Sequence, residues 1–426
     1  VKSPDDSENV LSVCVGETLT YTLTATDPDG TGDTSIQLLS ATPALPGTAM
    51  HTNLGVVAPT ANVSFSWTPD ASEAGTYTLV YRSTDASGAV CDRTLTIEVS
   101  RPPQVTHDTV VGSLDGSGTA GDPYLLCPGD SFSYVVHASD PDGTPVTLSV
   151  SGGAPTGGAH DADLPVVDTS INVGFEYTPT EADSGSTFTL TYTATDTAGC
   201  TNTETVVFRV THLPEFVQPT VQAFTVCVGE TLQYDLRATD GDGDLILLDV
   251  LGTPVGAFHA PNVFGQESGN PAVPDLLVSA PSPVSTRFEW RPTVADVGTH
   301  FLTYRAVDLY GCTTTLDVAI TVTRRPEFNT PPTPNESETL VARVGQELTY
   351  TVSATDPDGD EVTLTATGVP ANLTHPTLPA NGTPTATTTA SFTPELAQGG
   401  QTFRITYTAT DAAGCATERV VTIRVS

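Results

Sequence analysis

The sequence predicts an all-β protein, a tandem array of four β-sandwich domains set end to end. Three observations predict it. Of 426 residues, 73 are Thr, 36 Gly and 34 Pro, with a single Met and a single Lys, Lys2. That mix favours strands and turns over helices. One set of motifs occurs four times along the chain, in units of roughly 100 to 115 residues. Within each unit apolar residues alternate, as in Leu19, Tyr21, Leu23 and Ala25, the period-two pattern of a half-buried strand.

The elements of the unit follow in order. An early strand carries Tyr21, Tyr134, Tyr234 or Tyr350 and runs into an acidic turn. That turn reads Thr26-Asp27-Pro28-Asp29-Gly30, Ser139-Asp140-Pro141-Asp142-Gly143, Thr239-Asp240-Gly241-Asp242-Gly243 and Thr355-Asp356-Pro357-Asp358-Gly359. A middle strand ends in Phe65-Ser66-Trp67-Thr68-Pro69, matched by Phe175-Glu176-Tyr177-Thr178-Pro179, Phe288-Glu289-Trp290-Arg291-Pro292 and the shorter Ser391-Phe392-Thr393-Pro394. Tyr81, Tyr192, Tyr304 and Tyr407 then precede Asp85, Asp196, Asp308 and Asp411. A β-branched strand closes each copy, for example Leu95-Thr96-Ile97-Glu98-Val99. The aromatic positions alternate inward and read as core plugs. The units run 1–100, 101–211, 212–323 and 324–426, joined by segments such as Val99-Ser100-Arg101-Pro102. Both ends fall in phase with the repeat, the expectation being a whole number of modules belonging to a longer array.

About seven short strands in 100 residues is what an immunoglobulin-like sandwich requires. The motif order, Gly-Glu, Tyr, Ala-Thr-Asp-Pro-Asp-Gly, Trp-Thr-Pro, Gly-Thr-Tyr, Thr-Asp and Ile-x-Val, resembles the cadherin-like and Ig-like repeats of large extracellular surface proteins. The dystroglycan-type cadherin-like domain is among them, and the resemblance covers essentially the whole chain. It implies the fold more strongly than any one function. The longer acidic linker signature of classical cadherins is missing, so their three-calcium junction is not implied.

Charge narrows the partners. Fifty acids against 15 bases give a net charge of -35. Such a surface repels phosphate backbones and anionic membranes. A cation binder, a protein suited to high salt, or a soluble surface remain. The acids are 32 Asp and 18 Glu, a bias toward cation loops. No apolar run approaches the 18 to 20 residues that span a bilayer, so no membrane insertion is expected in this segment.

The acidic turns close the second and sixth strands of the unit, which end at one pole. Asp27, Asp29 and Asp85 should therefore converge, as should Asp140, Asp142 and Asp196. The same holds for Asp240, Asp242, Asp244 and Asp308, and for Asp356, Asp358, Asp360 and Asp411. Several carboxylates in one place suit Ca²⁺, which takes six to eight oxygens. The opposite pole carries its own acids, Glu17, Asp70 and Glu73 in the first unit, so that calcium could stiffen the joints. Asp-Pro-Asp-Gly is equally a good turn without metal.

There are seven cysteines, without the close spacing of a zinc site. Their regular placement points to an oxidising, extracellular setting. Pairing within units would give 14–91, 127–200 and 227–312. The predicted strands put those partners at opposite poles, beyond the roughly 4.4 to 6.8 Å that a disulfide tolerates. Pairing between units, Cys14–Cys200, Cys127–Cys312 and Cys227–Cys415, is favoured. It leaves Arg343 where a fourth cysteine would stand and Cys91 for a preceding module.

No catalytic constellation appears, and four identical sites in a row make a poor enzyme. One histidine recurs per unit, His51, His160, His259 and His375, read as surface or edge residues. The expected function is a rod-like stalk or fibre segment of a cell-surface adhesin or appendage, with neighbouring modules and a surface anchor as partners. Two alternatives stand beside it. One is a subunit that polymerises head to tail into an extracellular filament. The other is a carbohydrate-binding array using Tyr124, Phe264 and Tyr310.

Overall fold

The computed structural model describes residues 9–28, 30, 32–260 and 275–426. Among them every regular element is a strand or a three-residue 3₁₀ turn. No helix is long and apolar enough to cross a membrane. The chain divides into two compact units, Val1–His212 and Leu213–Ser426, and each holds two of the sequence repeats.

In the first repeat the strands are β1 (Val10–Cys14), β2 (Leu19–Thr26), β3 (Ser35–Thr42), β4 (Met50–Thr52), β5 (Thr60–Trp67), β6 (Gly75–Thr84) and β7 (Val90–Ser100). They form two sheets, ordered β1-β7-β6-β3 and β2-β5-β4. Neighbours are antiparallel except that β1 lies parallel to β7, with Cys14 opposite Ser100. Leu19, Tyr21, Leu23, Val63, Phe65 and Trp67 from one sheet meet Leu79, Tyr81, Leu95 and Ile97 from the other. Trp67 is 1% exposed, and its indole nitrogen donates to Glu73 at 3.3 Å. The same Glu73 accepts from the Asp70 amide and closes a capping box on the 3₁₀ turn Ala71–Glu73. Gly16, at φ 84, makes the tight turn between β1 and β2 that aims its amide at the Pro69 carbonyl.

The second repeat uses the same plan with its first strand split between sheets. Gln104–His107 pairs antiparallel with Phe132–Ser139, and Tyr124–Leu126 pairs parallel with Thr201–Val210. Its sheets have four and five strands around Phe132, Tyr134, Phe175, Tyr192 and Phe208. The second unit contains two further pairs of four- and five-stranded sheets. One packs around Tyr234, Phe288, Trp290 and Tyr304, the other around Tyr350, Phe392, Tyr407 and Ile423. The described residues thus form eight sheets and four apolar cores.

Candidate functional site

Each acidic turn is built on the ends of two core strands. In the first repeat Asp27 follows β2 and Asp85 follows β6, and both line one cleft of about 160 Å³. Asp29 lies outside the described residues. Asp85 Oδ1 accepts from the Ser87 hydroxyl at 2.7 Å and from the amides of Ala89 and Ser87 at 2.9 and 2.8 Å. The Ser87 hydroxyl leads these bonds in holding the Asp85 carboxyl below the usual range.

In the second repeat Asp140 Oδ1 accepts from the Asp142 amide at 2.6 Å. Asp196 Oδ1 accepts from the Cys200 amide at 2.7 Å, and its Oδ2 from the Ser100 hydroxyl at 2.7 Å. Ser100 belongs to the preceding repeat, and its neighbour Arg101 gives both its amide and Nε to Asp142 at 2.7 Å. Burial alone would raise the Asp142 carboxyl, but these bonds overcome it and hold it low.

The joint in the second unit is built alike. Asp358 accepts from the Thr323 hydroxyl at 3.2 Å, the Arg324 amide at 2.6 Å and the Arg324 Nε at 2.7 Å. The guanidinium also donates to the Pro357 carbonyl at 2.8 Å. Arginine thus serves Asp142 and Asp358, the carboxylates that face the preceding repeat in these two joints. Neither arginine was singled out in the sequence, because each pairs with a turn 34 or 41 residues later. The acids of the opposite pole are also used locally: Asp70, Asp183 and Asp296 take part in capping boxes, and Glu230 pairs with Arg325.

The deeper carboxylates are less satisfied. In the third repeat Asp240, Asp242 and Asp244 bring ligand oxygens within 4.8 Å of one another. Asp240 Oδ1 accepts the amides of Asp242 and Asp244, while its Oδ2 is buried without a hydrogen-bond partner. Asp308 is pushed above the ordinary carboxylate range, first by burial and further by the charge of Asp240, against the pull of three backbone amides. In the fourth repeat Asp356 Oδ1 accepts the amides of Asp358 and Asp360. The Oδ2 atoms of Asp356 and Asp411 are both buried and unpartnered. Burial first, then the Asp356 charge, raise Asp411. Asp140 Oδ2 is buried and unpartnered as well. Buried carboxylate oxygens lacking donors are where a hard cation would be accommodated.

Cys14 is bonded to Cys200 with a Cα separation of 5.6 Å, and Cys227 to Cys415 at 5.8 Å. Because Cys14 pairs with Ser100 on β7, Cys91 lies nine residues up the same strand, about 30 Å away. Cys91 is free and exposed. Its register differs from that of Cys200 and Cys415. The amides of Cys200 and Cys415 donate to Asp196 and Asp411, whereas in the first repeat the matching amide is that of Ala89. Ala89, not Cys91, therefore holds the stapling position. Spacing carried the signal: four residues separate Asp196 from Cys200 and Asp411 from Cys415, but six separate Asp85 from Cys91.

The four histidines, expected at the surface or an edge, lie on or beside short edge strands and turn inward from there. His51, His160, His259 and His375 place Nε2 at 2.6, 2.8, 3.0 and 2.6 Å from the hydroxyls of Tyr81, Tyr192, Tyr304 and Tyr407. Those hydroxyls in turn lie 2.6, 2.9, 2.6 and 2.7 Å from Tyr21, Tyr134, Tyr234 and Tyr350. A His-Tyr-Tyr chain thus bridges the two sheets in every repeat. Of the exposed aromatics considered for sugar stacking, Tyr124 instead packs on Phe132 and bonds to His107 at 3.1 Å. Phe264 lies outside the described residues.

The family model for a bacterial Ig domain matches three stretches, residues 4–98, 104–209 and 329–424. No curated protein matches the chain. Among solved structures, the I67–I69 fragment of the titin I-band is 11% identical, covering 71% of this chain and 95% of that one with a TM-score of 0.35. Extracellular domains 3–5 of Drosophila OTK are 11% identical over 73% of this chain and 95% of that one, with a TM-score of 0.31. The human desmocollin-1 ectodomain is 14% identical over 99% and 79%, with a TM-score of 0.25.

Proposed function

The chain belongs to the bacterial Ig domain family, and on that premise we propose that it is a structural segment of an extracellular stalk or fibre, such as that of a cell-surface adhesin. Its work is mechanical and not enzymatic. The observation that carries this reading is the double connection between successive repeats. Repeat 1 reaches repeat 2 through the backbone at Ser100-Arg101 and through Cys14–Cys200, and Cys227–Cys415 does the same in the second unit. Two covalent links restrict rotation where one would leave a hinge. These bonds suit an oxidising exterior. Neighbouring modules and a surface anchor are its partners.

Calcium belongs to the same proposal, at the deep carboxylates: Asp240, Asp242, Asp244 and Asp308 in the third repeat, and Asp356, Asp360 and Asp411 in the fourth. A cation there would supply what Asp356 Oδ2 and Asp411 Oδ2 lack. Calorimetric melting in EDTA and in 10 mM CaCl₂, with NaCl matched for ionic strength, tests it. For sites of 10⁻⁴ to 10⁻³ M, calcium adds about 1.4 to 2.7 kcal/mol. Asp356→Asn should lose part of that response while melting higher than the parent in EDTA, because a buried charge has gone. Identical melting with and without calcium would remove the metal from the proposal. If reduction also left melting unchanged, the stapled segment would go with it.

A further inference from the structure

We infer that Arg101 and Arg324 are built-in cations: each fills the outer of two cation positions at the top of the repeat that follows it, and so keeps a divalent ion to the inner one. The inference deepens the calcium reading of the deep carboxylates. It makes these two arginines the residues that set how many ions a joint takes.

In the fourth repeat the two positions have opposite status. On the outer side Asp358 is fully engaged. Its Oδ1 accepts from Arg324 Nε at 2.7 Å, and its Oδ2 from the Arg324 amide at 2.6 Å and the Thr323 hydroxyl at 3.2 Å. Arg324 Nη2 also donates to the Pro357 carbonyl at 2.8 Å. Carboxylate oxygens and a peptide carbonyl are the donor types that a hard cation gathers. Here one residue gathers them with its side chain and its own amide. On the inner side Asp356 and Asp411 are 2% and 6% exposed, and each keeps an Oδ2 that no donor reaches.

The second repeat shows the same division. Arg101 gives its amide and Nε to the two oxygens of Asp142 at 2.7 Å each, and its Nη2 to the Pro141 carbonyl at 2.7 Å. Asp140, 7% exposed, keeps the unpartnered Oδ2. The Ser100 hydroxyl takes Asp196 Oδ2, which leaves this inner position with fewer open oxygens than that of the fourth repeat.

A guanidinium suits the outer place. Its planar fork spans a carboxylate and a neighbouring carbonyl, and it holds its charge at every physiological pH. A divalent ion on Asp358 would have to displace three hydrogen bonds from Arg324 and lie against a like charge. Removing the arginine frees the same oxygens without opening the joint, because Cys227–Cys415 crosses it, as Cys14–Cys200 crosses the other.

The test counts ions. Calcium alone is titrated into the full, oxidised chain by calorimetry at fixed ionic strength. Arg324→Gln should bind one more ion per chain than the parent, and so should Arg101→Gln. Peptide mapping without reductant checks that both staples are closed in each variant. A surface ion pair with only a structural role would leave the count alone. An unchanged count in either variant overturns the inference for that joint, even where affinity rises, because the arginine would then only repel an ion bound elsewhere. The parent's own count tests the calcium reading separately. A parent that binds none beside variants that bind would remove calcium from the deep carboxylates and uphold the place of the arginines. A parent that binds beside variants that add nothing would do the reverse.

Discussion

The hydroxyl of Tyr81 serves two neighbours at once, His51 and Tyr21, each at 2.6 Å. Burial pushes the phenol up to about 12, so the chain of bonds is neutral at any physiological pH. Tyr81→Phe keeps the ring and removes the shared atom. It should cost about 1 to 3 kcal/mol, because the buried Tyr21 hydroxyl and the half-buried His51 each lose a partner, and urea melting of the variant checks this. Burial also lowers His51, His160 and His375 below 6.5. The unfolded chain then takes up protons before the folded one as pH falls. This contribution to stability is complete above about pH 6.5 and is lost progressively below it. Asp308 and Asp411, raised by burial and by Asp240 and Asp356, act in the opposite sense: their contribution is greatest in acid and lost as pH rises through their folded values. Urea midpoints should therefore fall between pH 7.5 and pH 5, and His375→Gln should flatten that fall. Unchanged midpoints across the window would rule out the histidine contribution.

At the scale of the strand, period and punctuation made most of the fold readable. Tyr21, Phe65, Trp67 and Tyr81 lie in the core because long strands show their alternation plainly. The edge strands Met50–Thr52 and Ala159–His160 hold two or three residues, too few for any period to appear. That is why the inward turn of the histidines was not legible. The acidic turns could be located from sequence, but Arg101 could not be matched to Asp142, since nothing local signals a pairing across the joint. These two kinds of link differ in strength. The Arg324–Asp358 pair has an exposed arginine, and such pairs contribute at most about 1 kcal/mol. A disulfide closing a long loop contributes about 2 to 5 kcal/mol. Arg324→Ala should thus shift melting slightly, and the double change Cys227→Ser with Cys415→Ser should shift it several times as far. Equal shifts would mean that the joint is held by charge and not by sulfur.

Taken whole, the chain presents 50 acids, 15 bases and the same few devices repeated along its length. Membership of the bacterial Ig family accounts for the repetition. Cys14–Cys200 and Cys227–Cys415 each span more than 180 residues, so most of the chain lies within covalent rings. A protease that cuts anywhere inside a ring opens it without releasing anything. Brief trypsin treatment should leave a species that runs near full length on a non-reducing gel and falls into pieces only after reduction. Early loss of mass without reductant would speak against closed rings. In the proposed stalk, such a ring lets a cut segment keep hold of whatever the stalk carries.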